Sequence, residues 1–137
     1  MHRKILILGL SFAALSVILG AFGAHALKSM VQEDKLQIFE IGVRYQFMHA
    51  IALITLAIYC HQQHLSILEQ KWIGWAAHFF IAGTLFFSGS LYFLTLLSAT
   101  NHPLIRFIGP ITPLGGLCFI LGWYFWLRVV YLKKVDK

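Results

Sequence analysis

The sequence predicts an all-α membrane protein, an up-down bundle of four transmembrane helices forming one domain over residues 1–137, with both termini cytoplasmic. Three observations predict it. The first is composition: 59% apolar against 12% charged residues is more than a soluble core of this length absorbs. The second is the set of uncharged runs from Ile5 to Leu27, Tyr45 to Leu68, Trp72 to Ile105 and Phe107 to Leu127. Each reaches the roughly 18–20 residues that cross a hydrocarbon core. The third is the sorting of cations between the span ends. Arg3, Lys4, Lys71, Arg128, Lys133, Lys134 and Lys137 flank one set, against Lys28, Lys35, Arg44 and Arg106 at the other. That excess puts the termini inside.

The spans are predicted at about residues 5–27, 39–60, 72–97 and 108–128. In the first, Arg3 and Lys4 before an apolar stretch and the triplet Ala24, His25, Ala26 look like a secretory signal with its cleavage site. The run exceeds an h-region of about 7–15 residues, and Lys28 closes it as it would a span, so it is expected to remain as a helix. Ser16, Gly20 and Ala24 recur every four residues and form a ridge of small side chains, expected to face the other helices. Residues 28–38, KSMVQEDKLQI, are expected as a short helix on the membrane surface.

The second span carries the most unusual stretch, FEIGVRYQFMHA at 39–50. Glu40 and Arg44 fall one turn apart and are expected to pair, while Tyr45, Gln46 and His49 turn to other faces. Ionisable groups inside a span are costly unless partnered. The stretch is therefore either a structural clamp where helices meet or a ligand or proton site. Ala99, Thr100, Asn101, His102 and Pro103 are turn material between the third and fourth spans. The stretch IGPITPLGG at 108–116 predicts an irregular start to the fourth, with Gly115 and Gly116 allowing close packing. Trp123, Tyr124 and Trp126 read as an aromatic belt.

GAFGAHAL at 20–27, FEIGVRYQFMHA at 39–50, LFFSGSLY at 85–92 and GPITPLGGLCFILGW at 109–123 together resemble the YgdD-like family of small four-span bacterial inner-membrane proteins, which has eukaryotic relatives. The family's stretch more commonly reads FETGVRYQ, so Ile41 stands in place of a hydroxyl. The resemblance implies the fold, the topology and an inner-membrane location. The family is one of unknown function, so it implies no activity and no catalytic residue.

All four stretches fall in the outer half of the bilayer under this topology. They are expected to bring His25, Glu40, Arg44, Gln46, His49, Ser88, Ser90 and Thr112 to similar depth as one polar cluster. Three functions compete. The best fit is a non-enzymatic structural, accessory or envelope-stability factor whose cluster holds the bundle together. Next comes a small proton- or ion-coupled transporter working through Glu40, Arg44 and His49. A haem or quinone redox protein is third. No catalytic residue is assigned: GxSxG, GxxxxGK and CxxCH are all absent. Cys60 and Cys118 have no CxxC spacing, so neither a metal nor a cofactor is expected. The expected partner is the lipid bilayer, with a lipid ligand, another membrane protein or a second copy of the chain as candidates. The net charge of +6 sits at span ends rather than on an aromatic-interleaved stripe, which argues against nucleic acid.

Overall fold

A computed structural model describes residues 2–98 and 103–135, with side chains as far as Tyr131. Ala99, Thr100, Asn101 and His102, expected as turn material, lie outside the described residues. Among the described residues, four helical rods are long and apolar enough to span a membrane. Helix α1 (His2–His25) leads through a single 3-10 turn (Leu27–Ser29) to α2 (Glu33–Gln62). The third rod consists of α3 (Ile67–Gly83), a π-helical turn (Thr84–Ser88) and α4 (Gly89–Ser98). A short α5 (Ile105–Ile108) precedes α6 (Ile111–Val135).

Local chemistry accounts for the boundaries. The surface helix expected over 28–38 does not form, because α2 begins at Glu33 and only the 3-10 turn precedes it. Glu33 and Asp34 occupy its first turn, where carboxylates face the positive end of the helix dipole. The third rod starts at Ile67, earlier than the apolar run suggests. Ser66 closes a capping box there: the Glu69 N–H donates to Ser66 Oγ at 3.3 Å and the Ser66 N–H to Glu69 Oε2 at 2.7 Å. Pro110 lies in the turn before α6 and Pro113 within its first turn, where a missing N–H breaks no intrahelical bond.

The rods pack in sequence. Helix α1 lies along α2, α2 along the third rod, and the third rod along α6. Glycines set how closely they approach. Gly9 faces Ala50 and Ile54, and Gly23 faces the Phe39 ring, which an added Cβ would meet at 3.2 Å. Gly115 lets α6 reach the backbone of Phe87 in the π turn, while Gly122 faces the Phe80 ring so closely that an added Cβ would lie 2.6 Å from it. Small residues are how membrane helices gain packing energy without a hydrophobic drive between them. The buried face of α1 is Ile5, Gly9, Ser16 and Gly23, continued by Leu27 in the 3-10 turn; Gly20 adjoins Val43, which an added Cβ would touch at 3.6 Å, and Ala24 is exposed instead.

These contacts also fix depth. His2 lies beside His61 and Arg128 over Trp72, so the start of α1, the α2–α3 link and the last turns of α6 share one end of the molecule, here called the terminal end. Taking Trp72 and Arg128 as one membrane boundary, a slab of about 27 Å covers roughly 5–22, 41–58, 73–90 and 111–128. The core of Leu53, Leu56, Ile73, Ala76, Phe80, Phe119 and Val129 fills its middle and terminal side. Beyond the other boundary, at the loop end, a second cluster of Leu27, Leu36 and Phe39 closes the bundle.

Candidate functional site

Gln46 joins three rods. Its position on α2 follows from helical spacing, because Gly42, Gln46, His49, Leu53, Leu56 and Cys60 form the buried stripe. The Gln46 amide donates from Nε2 to the Phe12 carbonyl of α1 at 3.0 Å, and Ser16 Oγ donates to the same oxygen at 2.7 Å. On the opposite side the Tyr92 hydroxyl donates to Gln46 Oε1 at 2.9 Å. Tyr92 gains this reach because Gly42 leaves room: a Cβ there would lie 2.8 Å from the ring. The Phe39 ring packs on Tyr92 at 4.8 Å and keeps it in place.

His49 lies one turn deeper, near mid-membrane. Trp123 Nε1 stands 3.3 Å from His49 Nε2, and His49 Nδ1 lies 2.8 Å from the Tyr45 carbonyl. An indole N–H only donates, so Nε2 must accept and the proton sits on Nδ1, which donates to Tyr45. Phe119 stacks on the imidazole with centroids 3.5 Å apart and planes 10° from parallel, and Phe80 closes another side at 5.6 Å. Both ring nitrogens are engaged, and the histidine is held as a neutral, tautomer-defined group.

A third group lies near the loop-end boundary. Ser90 Oγ donates to the Phe87 carbonyl at 2.9 Å, so the 2.7 Å contact between Ser90 and Thr112 has Thr112 as donor. Thr95 reaches the Lys35 carbonyl of α2 at 3.1 Å and its own Leu91 carbonyl at 3.0 Å. Ser88, in the π turn, is fully buried, and its hydroxyl has no hydrogen-bond partner among the described residues.

Of the eight expected residues, Gln46, His49, Ser90 and Thr112 take part in separate hydrogen-bonded groups between the loop-end boundary and mid-membrane, while His25, Glu40, Arg44 and Ser88 join none of them. The expected Glu40–Arg44 pair is not formed. Both side chains are exposed, and Lys35–Asp34 at 2.8 Å is the ion pair recorded among the described residues. Glu40 lies at the boundary and Arg44 about 5 Å inside it. Long side chains so placed can extend toward the polar boundary separately, and an exposed pair there would gain little over that. His25 is exposed at the end of α1, outside the slab.

The lipid-facing side holds a concave feature. Helices α2 and α6 are held apart by the third rod, leaving an open groove of about 1060 Å³ between them. Met48, Ile51 and Thr55 form one wall, Leu117 and Ile120 the other, and His49 and Trp123 lie at its floor.

Comparison with known proteins places the chain. The profile of the family described as "Protein of unknown function (DUF423)" matches residues 19–116. The chain belongs to this family. Curated relatives include the UPF0382 membrane protein YwdK of Bacillus subtilis, 40% identical over 121 residues that cover 88% of this chain and 90% of the relative. The UPF0382 inner membrane protein YgdD of Escherichia coli is 39% identical over 118 residues, covering 83% and 82%. A UPF0382 membrane protein of Staphylococcus saprophyticus is 39% identical over 121 residues, covering 88% and 91%. No solved structure matches. This DUF423 protein is thus a multi-pass protein of the bacterial inner membrane, in a family to which no activity is attached.

The DUF423 match takes in Gln46, His49, Ser90, Tyr92 and Thr112, and ends before Phe119 and Trp123. Sequence reasoning missed Tyr92 and Trp123 as members of the polar groups. Tyr92 follows Ser88 by one turn on the same helical stripe, a spacing that could have placed it. Trp123 reads as a belt residue by its neighbours, and its ring is indeed exposed; only the closeness of α6 to α2 at Phe119 brings its indole N–H to His49.

Proposed function

We propose that this chain is a non-enzymatic accessory protein of the inner membrane, in which the intramembrane polar residues clamp the rods together and the lipid-facing side meets lipid. One observation carries this reading: Gln46 donates to α1 and accepts from α4 at once, so its amide is committed to holding three rods. His49 is likewise committed at both nitrogens. The carrier reading is favoured less, because Glu40 and Arg44 face outward and do not converge with His49. The redox reading is favoured less too. His78 donates to its own Gly74 carbonyl at 2.6 Å and lies two residues from Phe80, hence on the opposite side of α3 from His49.

The proposal includes an orientation in which Arg3, Lys4, Lys71 and Arg128 mark a cytoplasmic terminal end. Its test is twofold. Gln46→Leu should lower the thermal midpoint in detergent by an amount corresponding to about 1–2 kcal/mol, since it leaves the Tyr92 hydroxyl without its acceptor and the Phe12 carbonyl with Ser16 but not the interhelical donor. Proteoliposomes of the unmodified chain should show no proton or cation flux sensitive to Glu40→Gln. Flux lost in that variant would replace the accessory reading with the carrier, and reporter tags at the two ends appearing on opposite faces would refute the orientation.

A further inference from the structure

The α2–α6 groove and the two unpaired charges on α2 lie on one stripe. At 100° per residue Glu40, Arg44, Met48, Ile51 and Thr55 follow one another along the same face of the helix, and all five are exposed. Met48, Ile51 and Thr55 line the groove, Arg44 stands one turn above Met48 toward the loop-end boundary, and Glu40 stands one turn above Arg44. From mid-membrane outward the stripe therefore presents an apolar channel, then a cation, then an anion. A phospholipid with an amine headgroup presents an acyl chain, then a phosphate, then an ammonium in that same order. Neither Glu40 nor Arg44 is used by the helix clamp, and no ion pair among the described residues satisfies either of them.

The walls favour a chain over a helix. Membrane helices meet through small residues that let backbones approach. The close-packing glycines Gly9, Gly23, Gly42, Gly83, Gly115 and Gly122 are already spent on contacts within the molecule. What remains around the groove is mostly bulky, Tyr45, Phe47, Met48, Leu117, Ile120 and Trp123, with Ala52 and Gly116 as single small residues on facing walls rather than a ridge along either helix. Such walls keep another helix at a distance but leave a slot for a thin, flexible hydrocarbon. At this depth water is not available to fill it.

We propose that the groove binds one phospholipid with an amine headgroup, its acyl chain lying between α2 and α6, its phosphate against Arg44 and its ammonium against Glu40. This deepens the lipid contact of the accessory reading and rests on it, but it is independent of the Gln46 clamp, whose test is thermal stability. The guanidinium holds the phosphate by charge-assisted, bidentate hydrogen bonds near the membrane boundary. The carboxylate supplies selectivity, because it repels a headgroup with a net negative charge and accepts from an ammonium.

The test uses the full chain in detergent micelles doped equally with phosphatidylethanolamine, phosphatidylglycerol and phosphatidylcholine, read by native mass spectrometry. One phosphatidylethanolamine should be retained preferentially, and bromine on its acyl chain should quench tryptophan fluorescence in wild type more than in Trp123→Phe. Arg44→Gln should weaken retention about fivefold, while Arg44→Lys preserves most of it. Glu40→Gln should keep a bound lipid but lose the preference for ethanolamine over glycerol. Arg44 is exposed and unbonded, so its variants should melt with wild type, which separates lost binding from lost folding. Equal retention of the three lipids, or full retention in Arg44→Gln, would overturn the proposal. So would disulfide dimers formed through Met48→Cys, which would make a second copy the occupant.

Discussion

Trp123 Nε1 on α6 donates to His49 Nε2 on α2 across 3.3 Å, while the imidazole stacks on Phe119 one turn away on α6. This contact joins the second and fourth rods, whose backbones otherwise leave a groove between them. It also decides the proton on the ring. A doubly protonated imidazole would set N–H against N–H, so the contact persists only with Nδ1 carrying the proton.

Trp123→Phe should therefore act mainly through His49. The ring keeps its stacking, but Nε2 loses its donor in an apolar setting, at a cost of about 1–2 kcal/mol. The expected outcome is a lower thermal midpoint in detergent. Nitrogen-15 spectra of wild type should show a protonated Nδ1 and a bare Nε2 at neutral pH. An imidazolium signal there would contradict the bonding pattern.

Ser88 makes the opposite prediction. Its hydroxyl is fully buried and has no partner among the described residues, so its removal deletes a desolvation penalty and leaves a side chain of nearly the same size. Ser88→Ala should leave the thermal midpoint unchanged or raise it, by up to about 2 kcal/mol of stability. A clear loss would mean that the hydroxyl is partnered in the membrane.

Adjacent glycines on α6 should respond differently. A Cβ on Gly115 collides with the backbone of Phe87 in the π turn, which cannot step aside without moving the third rod. On Gly116 the nearest atom is the edge of the Phe87 ring at 3.9 Å, an ordinary contact. Gly115→Ala should thus cost about 2 kcal/mol or more, whereas Gly116→Ala should fall within about 0.5 kcal/mol of wild type. Comparable midpoints for the two variants would show that α6 does not approach the π turn as closely as described.

How much of the site was legible in advance varies with the residue. The FEIGVRYQFMHA stretch stands out because polar groups inside an apolar run must be doing something. That argument identifies Gln46 and His49 without saying what they bond to. It misjudges Glu40 and Arg44, because i, i+4 spacing gives a pair the chance to form but no obligation where both ends reach a polar boundary. The Ser16, Gly20, Ala24 ridge is off for a related reason. A four-residue repeat drifts around a 3.6-residue helix, and the contact line follows Gly9, Ser16 and Gly23 instead.

By itself the sequence determined that four apolar rods exist and that the cations collect at one set of their ends. Those properties are sums over residues and do not depend on partners. The tertiary structure alone decided that Gln46 meets Phe12 and Tyr92, that His49 meets Trp123, and that Arg44 stands free above a groove. Each of these depends on how far one rod is rotated about its axis and slid along its neighbour. That rotation and slide are set by single close approaches such as Gly115 on Phe87 and Gly42 on Tyr92, which no periodicity along one helix records.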